Sequence, residues 1–310
     1  MFEELEKYKS LEFFARHVME GFISGLHKSP FHGFSVEFSE HRQYNPGEST
    51  KNIDWKLYGR SDKLFVKRFE EETNLRCQLV IDHSRSMLFP LEGHNNYKKP
   101  NKLTFSIYAA ALLSEMMLRQ RDAFGLTLVG NGIDLQTDVR SSKAHQHYVL
   151  GLLEQELAQP IDTRTEHPSS THIAEALHLT AERLKQRSLV VVFTDAFTSV
   201  EESRALLDAL RHLRHCKHEV VVFHTMSFGK ELDFAFENKP TEFIDLESGK
   251  SLKVQPFEVI DKYQEQMSKL VAEFKHHAIQ YQADYVAIDI DAGFEPILVP
   301  YLLKRKKTRV

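Results

Sequence analysis

Cysteine is nearly missing from this chain. Cys77 and Cys216 are the only two in 310 residues, too few for a disulfide framework, so a buried core must hold the fold and a reducing compartment suits it. Long apolar runs are missing too. The longest, such as Tyr108–Leu113, span only a few residues, whereas a membrane helix needs about 20. The amino terminus, Met1-Phe-Glu-Glu-Leu-Glu-Lys7, is acidic and lacks the apolar stretch of a secretory signal. Together these absences predict a cytoplasmic protein with no membrane insertion. There is no basic excess either: 40 Lys and Arg against 44 Asp and Glu leave a formal charge of −4, which argues against nucleic-acid binding. The one basic block, Lys304 to Lys307 with Arg309, reads as a solvated tail. No phosphate-binding G-x-x-x-x-G-K-[ST] occurs, no G-x-G-x-x-G follows a strand, and no serine lies in a G-x-S-x-G elbow. A P-loop ATPase, a dinucleotide enzyme and a serine hydrolase are therefore disfavoured.

What remains is ordinary globular composition, with 42% hydrophobic and 27% charged residues, enough to bury a sizeable core. The length suits one large domain with an appendage. Leu11, Phe14, Val18, Phe22 and Leu26 recur at helical spacing, predicting an amphipathic helix within residues 3–26. Phe34–Phe38 alternates like a strand, Asn45-Pro-Gly47 is a turn, and Leu64–Val66 opens another strand. From residue 76 onward, apolar strand-like runs alternate with helical patterns, predicting a Rossmann-like α/β sheet. Gly130-Asn-Gly132 turns tightly into 133–139, so the third core strand is expected to be an antiparallel edge. Residues 232–253 read as an inserted hairpin. The predicted division is a helix plus β-rich arm at 1–75 and an α/β domain at 76–310.

The most informative stretch is Arg76–Met87. Leu79-Val-Ile81 is a doubly buried strand, and it stops at Asp82, after which Ser84 and Ser86 follow at alternate positions. Open α/β folds place their ligands at the carboxyl ends of such strands. A carboxylate with two hydroxyls there suits a hard cation such as Mg²⁺, with Mn²⁺ or Ca²⁺ as alternatives. Two later positions lie in comparable places: Asp195 ends the buried run Leu189–Phe193, and Thr171 stands just before the preceding helix. Each has a plainer reading. Thr171 is a natural helix N-cap, and a carboxylate after a strand often serves a turn.

Asp82-x-Ser84-x-Ser86 with Met87, Thr171 ahead of His-Ile-Ala-Glu-Ala-Leu177, and Asp195 together resemble the metal-ion-dependent adhesion site of von Willebrand factor A-like domains. The resemblance implies that Ser84, Ser86 and Thr171 ligate the metal through hydroxyls while Asp82 and Asp195 act mainly through water. It also implies one position left for a carboxylate from a partner. The preceding segment is more specific. Gly33-Phe-Ser-Val-Glu-Phe38, His41-Arg42-x-Tyr44-x-Pro46-Gly47, Asn52-Ile-Asp54-Trp55-Lys56, Gly59-Arg60 and Val66-Lys-Arg-Phe-Glu70-x-Glu72 resemble the signature of the bacterial "domain of unknown function 58" family, in its short form without membrane helices. One departure is Gly47-Glu48-Ser49, where the family carries Gly-Asp-Asp. The resemblance implies a non-enzymatic adaptor or chaperone-like role beside a MoxR-type AAA+ ATPase. Arg42, Asp54, Trp55 and Arg60 are expected to form a buried ion-pair and packing network locking arm to sheet, with a second active site as the alternative.

Two other chemistries deserve weight. A metal-dependent phosphohydrolase could use Asp82 and Asp195, although haloacid-dehalogenase-like enzymes need a second Asp two residues after the first, and Ser84 stands there. His212, His215 and Cys216 share a helix face, with His218 just after. That spacing permits zinc, but the same residues also suit a helix carboxyl end. His145, His147, His276 and His277 read as surface residues.

Overall fold

The computed structural model describes residues 10–26, 41–43, 58–60, 64–67, 75–160, 172–196, 200–247, 249–294 and 296–300. Helix α1 (Leu11–Leu26) precedes a short antiparallel pair, β1 (His41–Gln43) with β2 (Phe65–Lys67). The alternating part then runs β3 (Arg76–Asp82), α2 (Lys102–Arg119), β4 (Ala123–Val129), β5 (Ile133–Gln136), α3 (Lys143–Ala158), α4 (Ile173–Arg183), β6 (Leu189–Thr194), α5 (Val200–His215) and β7 (Glu219–Met226). The hairpin β8 (Thr241–Ile244) and β9 (Ser251–Val254) follows, then α6 (Pro256–Gln280) and β10 (Asp284–Asp289).

Six strands form one sheet in the order β10-β7-β6-β3-β4-β5. Every pairing is parallel except β4 with β5, so this is an α/β fold with a mostly parallel sheet and an antiparallel edge, as expected. The chain enters in the middle at β3, winds outward through β4 and β5, then returns to lay β6 against the other side of β3. The strand order thus reverses between β3 and β6, and at such a switch point the departing loops splay apart and leave a crevice.

Side chains alternate across each strand, and here both faces are covered. Leu79, Ile81, Val191, Phe193, Val221 and Phe223 belong to one core with α1, α2 and α3. Val80, Val190, Val192, Val220 and Val222 belong to the other, with α4, α5 and α6. Helix α2 is apolar around nearly its whole circumference because α1 covers the side turned away from the sheet: Leu11, Phe14, Ala15 and Met19 are buried, and Phe14 meets Tyr108 edge-on at 4.6 Å. A helix without a polar face is stable only when sandwiched in this way.

The loop ahead of α2 is tightly tied. Asn101 caps the helix, its Oδ1 accepting from Thr104 N at 2.7 Å, and its Nδ2 donates to Leu88 O at 3.2 Å. Asn101 N donates to Gly93 O at 3.0 Å and Lys102 N to Phe89 O at 3.1 Å. A Cβ on Gly93 would lie 2.3 Å from Asn101 N, so only glycine allows this approach of backbone to backbone.

The differences from expectation are local. His145 is buried rather than exposed, because α3 turns it toward the sheet edge, where its Nε2 lies 2.9 Å from the Phe124 carbonyl oxygen. The hairpin strands occupy only 241–244 and 251–254, and a single π-helical turn at Phe228–Leu232 precedes them. Helix α1 is described from Leu11. The strand expected at Phe34–Phe38 and the turn at Asn45-Pro-Gly47 lie outside the described residues, as do Asp54 and Trp55, while Arg60 is exposed.

Candidate functional site at the sheet switch point

The registers Ile81 with Phe193 and Phe193 with Phe223 bring the carboxyl ends of β3, β6 and β7 to one rim. Asp82 is the last residue of β3 and is fully buried. Its Oδ1 accepts from Ser84 N at 3.0 Å, a short side-chain turn that competes with continuing the strand. Its Oδ2 accepts from Thr194 Oγ1 at 2.8 Å, tying β3 to β6. Ser84 Oγ and Ser86 Oγ lie 3.1 Å apart, and the Ser86 hydroxyl is near enough to stabilise the Asp195 carboxylate. Ala196 follows Asp195 at φ 57, a left-handed conformation that an alanine seldom adopts, and this turn presents Asp195 to the rim.

A cation that sequence reasoning missed stands beside these groups. Lys102 opens α2, and its Nζ donates to Asp195 Oδ2 and to Glu231 Oε1, each at 2.8 Å, with the lysine side chain 3% exposed. Glu231 is held in turn by Ser227 N at 2.7 Å. Neighbouring polar groups therefore run Thr194, Asp82, Ser84, Ser86 and then Asp195, Lys102, Glu231, Ser227, bringing the ends of three strands to the start of one helix.

The charges divide unequally along it. Burial pushes Asp195 upward, but Lys102's charge and hydrogen bond outweigh this and hold its carboxyl below the usual carboxylate range. Burial would also lower Lys102, yet the two carboxylates hold its ammonium well above the ordinary lysine value. Asp82 has no such help. Among the described residues its donors, Ser84 and Thr194, are neutral, and burial, reinforced by the charge of Asp195, raises it to about 6. Next to it, His83 bridges Glu156 at 2.8 Å and Asp134 at 2.7 Å. Burial disfavours its imidazolium, but the hydrogen bonds and charges of these acids prevail and raise it to about 9.

Residues 40–272 match the family described as "Protein of unknown function DUF58", about three quarters of the chain. The chain belongs to that family. Uncharacterized proteins of Mycobacterium bovis and Mycobacterium tuberculosis are 22% identical to this DUF58 chain over 200 residues, covering 64% of it and 59% of their own length; the chain thus spans about three fifths of those relatives. A solved structure, an uncharacterized membrane-spanning protein from Vibrio fischeri, matches 74% of this chain and 96% of its own at 14% identity, with a TM-score of 0.24, too loose a likeness to support any argument. Among the described residues of this DUF58 chain, no helix is long and apolar enough to cross a membrane.

Asp82, Ser84, Ser86 and Asp195 do converge; Thr171 lies outside the described residues. Their chemistry fits a divalent ion. Two hydroxyl oxygens 3.1 Å apart match adjacent corners of an octahedron with metal–oxygen distances of about 2.1 Å, and the carboxylates supply charge beside them. The histidine–cysteine group reads differently. His212 Nδ1 lies 2.8 Å from His178 Nδ1, His218 Nδ1 accepts from Ser188 N, and no three His, Cys, Asp or Glu side chains among the described residues form a metal-binding group.

Lys102 did leave a signal in the sequence. A lysine in the first turn of a helix faces the positive end of its dipole, and this one follows a capping Asn at the head of an otherwise apolar helix. Such a residue needs a carboxylate partner. Glu231 left none, since single π-helical turns carry no short pattern.

Proposed function

We propose that this DUF58 protein is a cytoplasmic, non-enzymatic interaction module whose sheet is of the von Willebrand A type and whose switch-point crevice is a metal-ion-dependent adhesion-type site. Ser84 and Ser86 would hold Mg²⁺ directly, Asp82 and Asp195 would support it from beside, and Thr171 would complete the set. Such an ion supplies a Lewis-acidic position for an oxygen ligand. Hydroxyl ligands leave its charge largely unneutralised, so a Glu or Asp from a partner is the natural last ligand. The family resemblance suggests a MoxR-type AAA+ ATPase as that partner.

The observation that supports the reading best is Asp82, a fully buried carboxylate whose described donors are all neutral, beside two converging hydroxyls. A buried charge without a counter-ion is costly, and a divalent ion would relieve that cost. The test is binding of the full chain to a MoxR-type ATPase from the same organism, in Mg²⁺ and in EDTA, with Ser86→Ala alongside. Loss of binding in EDTA and in the variant supports the reading; unchanged affinity in both refutes metal dependence. The raised Asp82 gives a hydrolytic alternative some footing, because perturbed carboxylates cluster at reactive sites. Turnover of a generic phosphate ester with Mg²⁺, lost in Asp82→Ala, would establish the metal-dependent phosphohydrolase instead.

A further inference from the structure

Lys102 is the feature of this rim that neither the family resemblance nor the strand-end pattern accounts for. Its ammonium is buried, and its Nζ holds Asp195 Oδ2 at 2.8 Å, the carboxylate that the nearby Ser86 hydroxyl also stabilises. The second carboxylate on Nζ, Glu231, comes from a different strand end, and the Phe89 ring closes over the ammonium at 5.8 Å. The lysine is therefore anchored from three sides.

Counting charges shows what the anchoring does. Asp82, Asp195 and Glu231 face each other across the rim with one ammonium among them. Lys102 serves the Asp195 and Glu231 end, and the Asp82 end keeps hydroxyl and amide donors only. Any divalent ion seated on Ser84 and Ser86 must draw on Asp195, the carboxylate that Lys102 already engages, and must sit close to a fixed positive charge in a poorly screened place.

We infer that Lys102 is a tethered competitor cation: it occupies half of Asp195, offsets one of the three carboxylate charges of the resting crevice, and holds affinity for divalent ions low. The inference rests on the proposed divalent site. It adds a consequence: the ion and the partner's carboxylate are bound best together, because the incoming acid supplies the negative charge that Lys102 takes away. A lysine that merely staples α2 to the sheet would contribute stability and leave ion affinity alone.

The experiment is Mn²⁺ binding to the full chain, followed by the disappearance of the free-ion electron-spin signal, for wild type, Lys102→Met, Lys102→Met with Glu231→Gln, and Ser86→Ala. Lys102→Met is expected to bind Mn²⁺ at least tenfold more tightly than wild type, and Mn²⁺ should raise its melting temperature by more than that of wild type. The double variant, which removes the ammonium together with one of its acids, carries the same expectation and stands in if the single variant does not fold. If wild type binds, Ser86→Ala does not, and removing Lys102 leaves affinity unchanged or weaker, the divalent site stands and the tethered-competitor inference falls. If neither wild type nor either lysine variant binds Mn²⁺, the divalent reading itself fails and takes this inference with it.

Discussion

Asp82→Asn should make the metal-free protein more stable at neutral pH. The carboxylate is fully buried, its described donors are neutral, and burial together with Asp195's charge raises it to about 6. Against an unfolded value near 3.9, that is a displacement of about 2 units, or at most ~3 kcal/mol. The sign follows from proton linkage. A folded-state value above the unfolded one means the native protein binds the proton more tightly, so this stabilisation is complete below about pH 4 and is lost as pH rises through about 6. At neutral pH the site therefore carries the full cost of the buried charge. The substituted amide keeps an oxygen for Ser84 N, and its NH₂ can donate to the Thr194 hydroxyl, which reverses that bond without breaking it. Allowing for relaxation around the charge, about 1–3 kcal/mol should be gained, a rise in melting temperature of about 1.5–5 °C for a chain of this size. Thermal melts by circular dichroism in EDTA, near pH 8 and near pH 5, measure it: the gain should be present at the higher pH and smaller, by about half the linkage ceiling, at the lower. Asp82→Asn melting below wild type at both pH values would refute the idea of an uncompensated charge.

Two further outcomes follow from neighbouring contacts. His83, held between Glu156 and Asp134 and raised to about 9, contributes stability that is fully present below about pH 6.5 and lost as pH rises through about 9; the ceiling is about 3 kcal/mol. Because Asp134 is 47% exposed, screening should leave ~1–2 kcal/mol, so a His83→Gln variant should lose its deficit relative to wild type above about pH 9.5, as urea titrations across that range would register. Gly93→Ala should cost about 2–4 kcal/mol, since the added Cβ meets Asn101 N at 2.3 Å and must push aside the residue that caps α2; a fall of less than 2 °C in melting temperature would show that the loop yields freely.

The fold was largely legible because its strands are buried on both faces. Leu189–Thr194 and Glu219–Met226 are short β-branched runs that no amphipathic helix would produce, and the Gly130–Gly132 turn announced the reversal into β5. Strand order was legible only through the regular alternation, since the winding direction follows from how each crossover packs back on the sheet. The hairpin was overextended for a definite reason. Residues 232–240 carry Phe234 and Phe236 on alternating positions, but these rings pack with Phe243 as a small aromatic cluster rather than entering a ladder. His145 was misread because residue type alone cannot show that a helix will turn a histidine toward the Phe124 carbonyl of the sheet.

The site was half legible, and the split has a physical basis. Residues that act through a strand end, Asp82, Ser84, Ser86 and Asp195, leave a local pattern because the strand itself fixes their direction. Lys102 and Glu231 meet across a sequence separation of 129 residues, and only the stacking of α2 against the ends of β6 and β7 brings them together. Two unusual backbone features frame that meeting: Ala196 in the left-handed region directly after Asp195, and the π-helical turn that carries Glu231. Such conformations persist only where surrounding contacts over-determine them, and they gather at functional places. Both of them lead into a carboxylate bonded to Lys102. An ordinary salt-bridge staple could be built from a regular helix and a relaxed turn, whereas placing two acids around one buried ammonium, with a third carboxylate left to neutral donors, requires this distortion. The strain and the uneven charge balance therefore meet at one rim, the arrangement that the proposed divalent site would use.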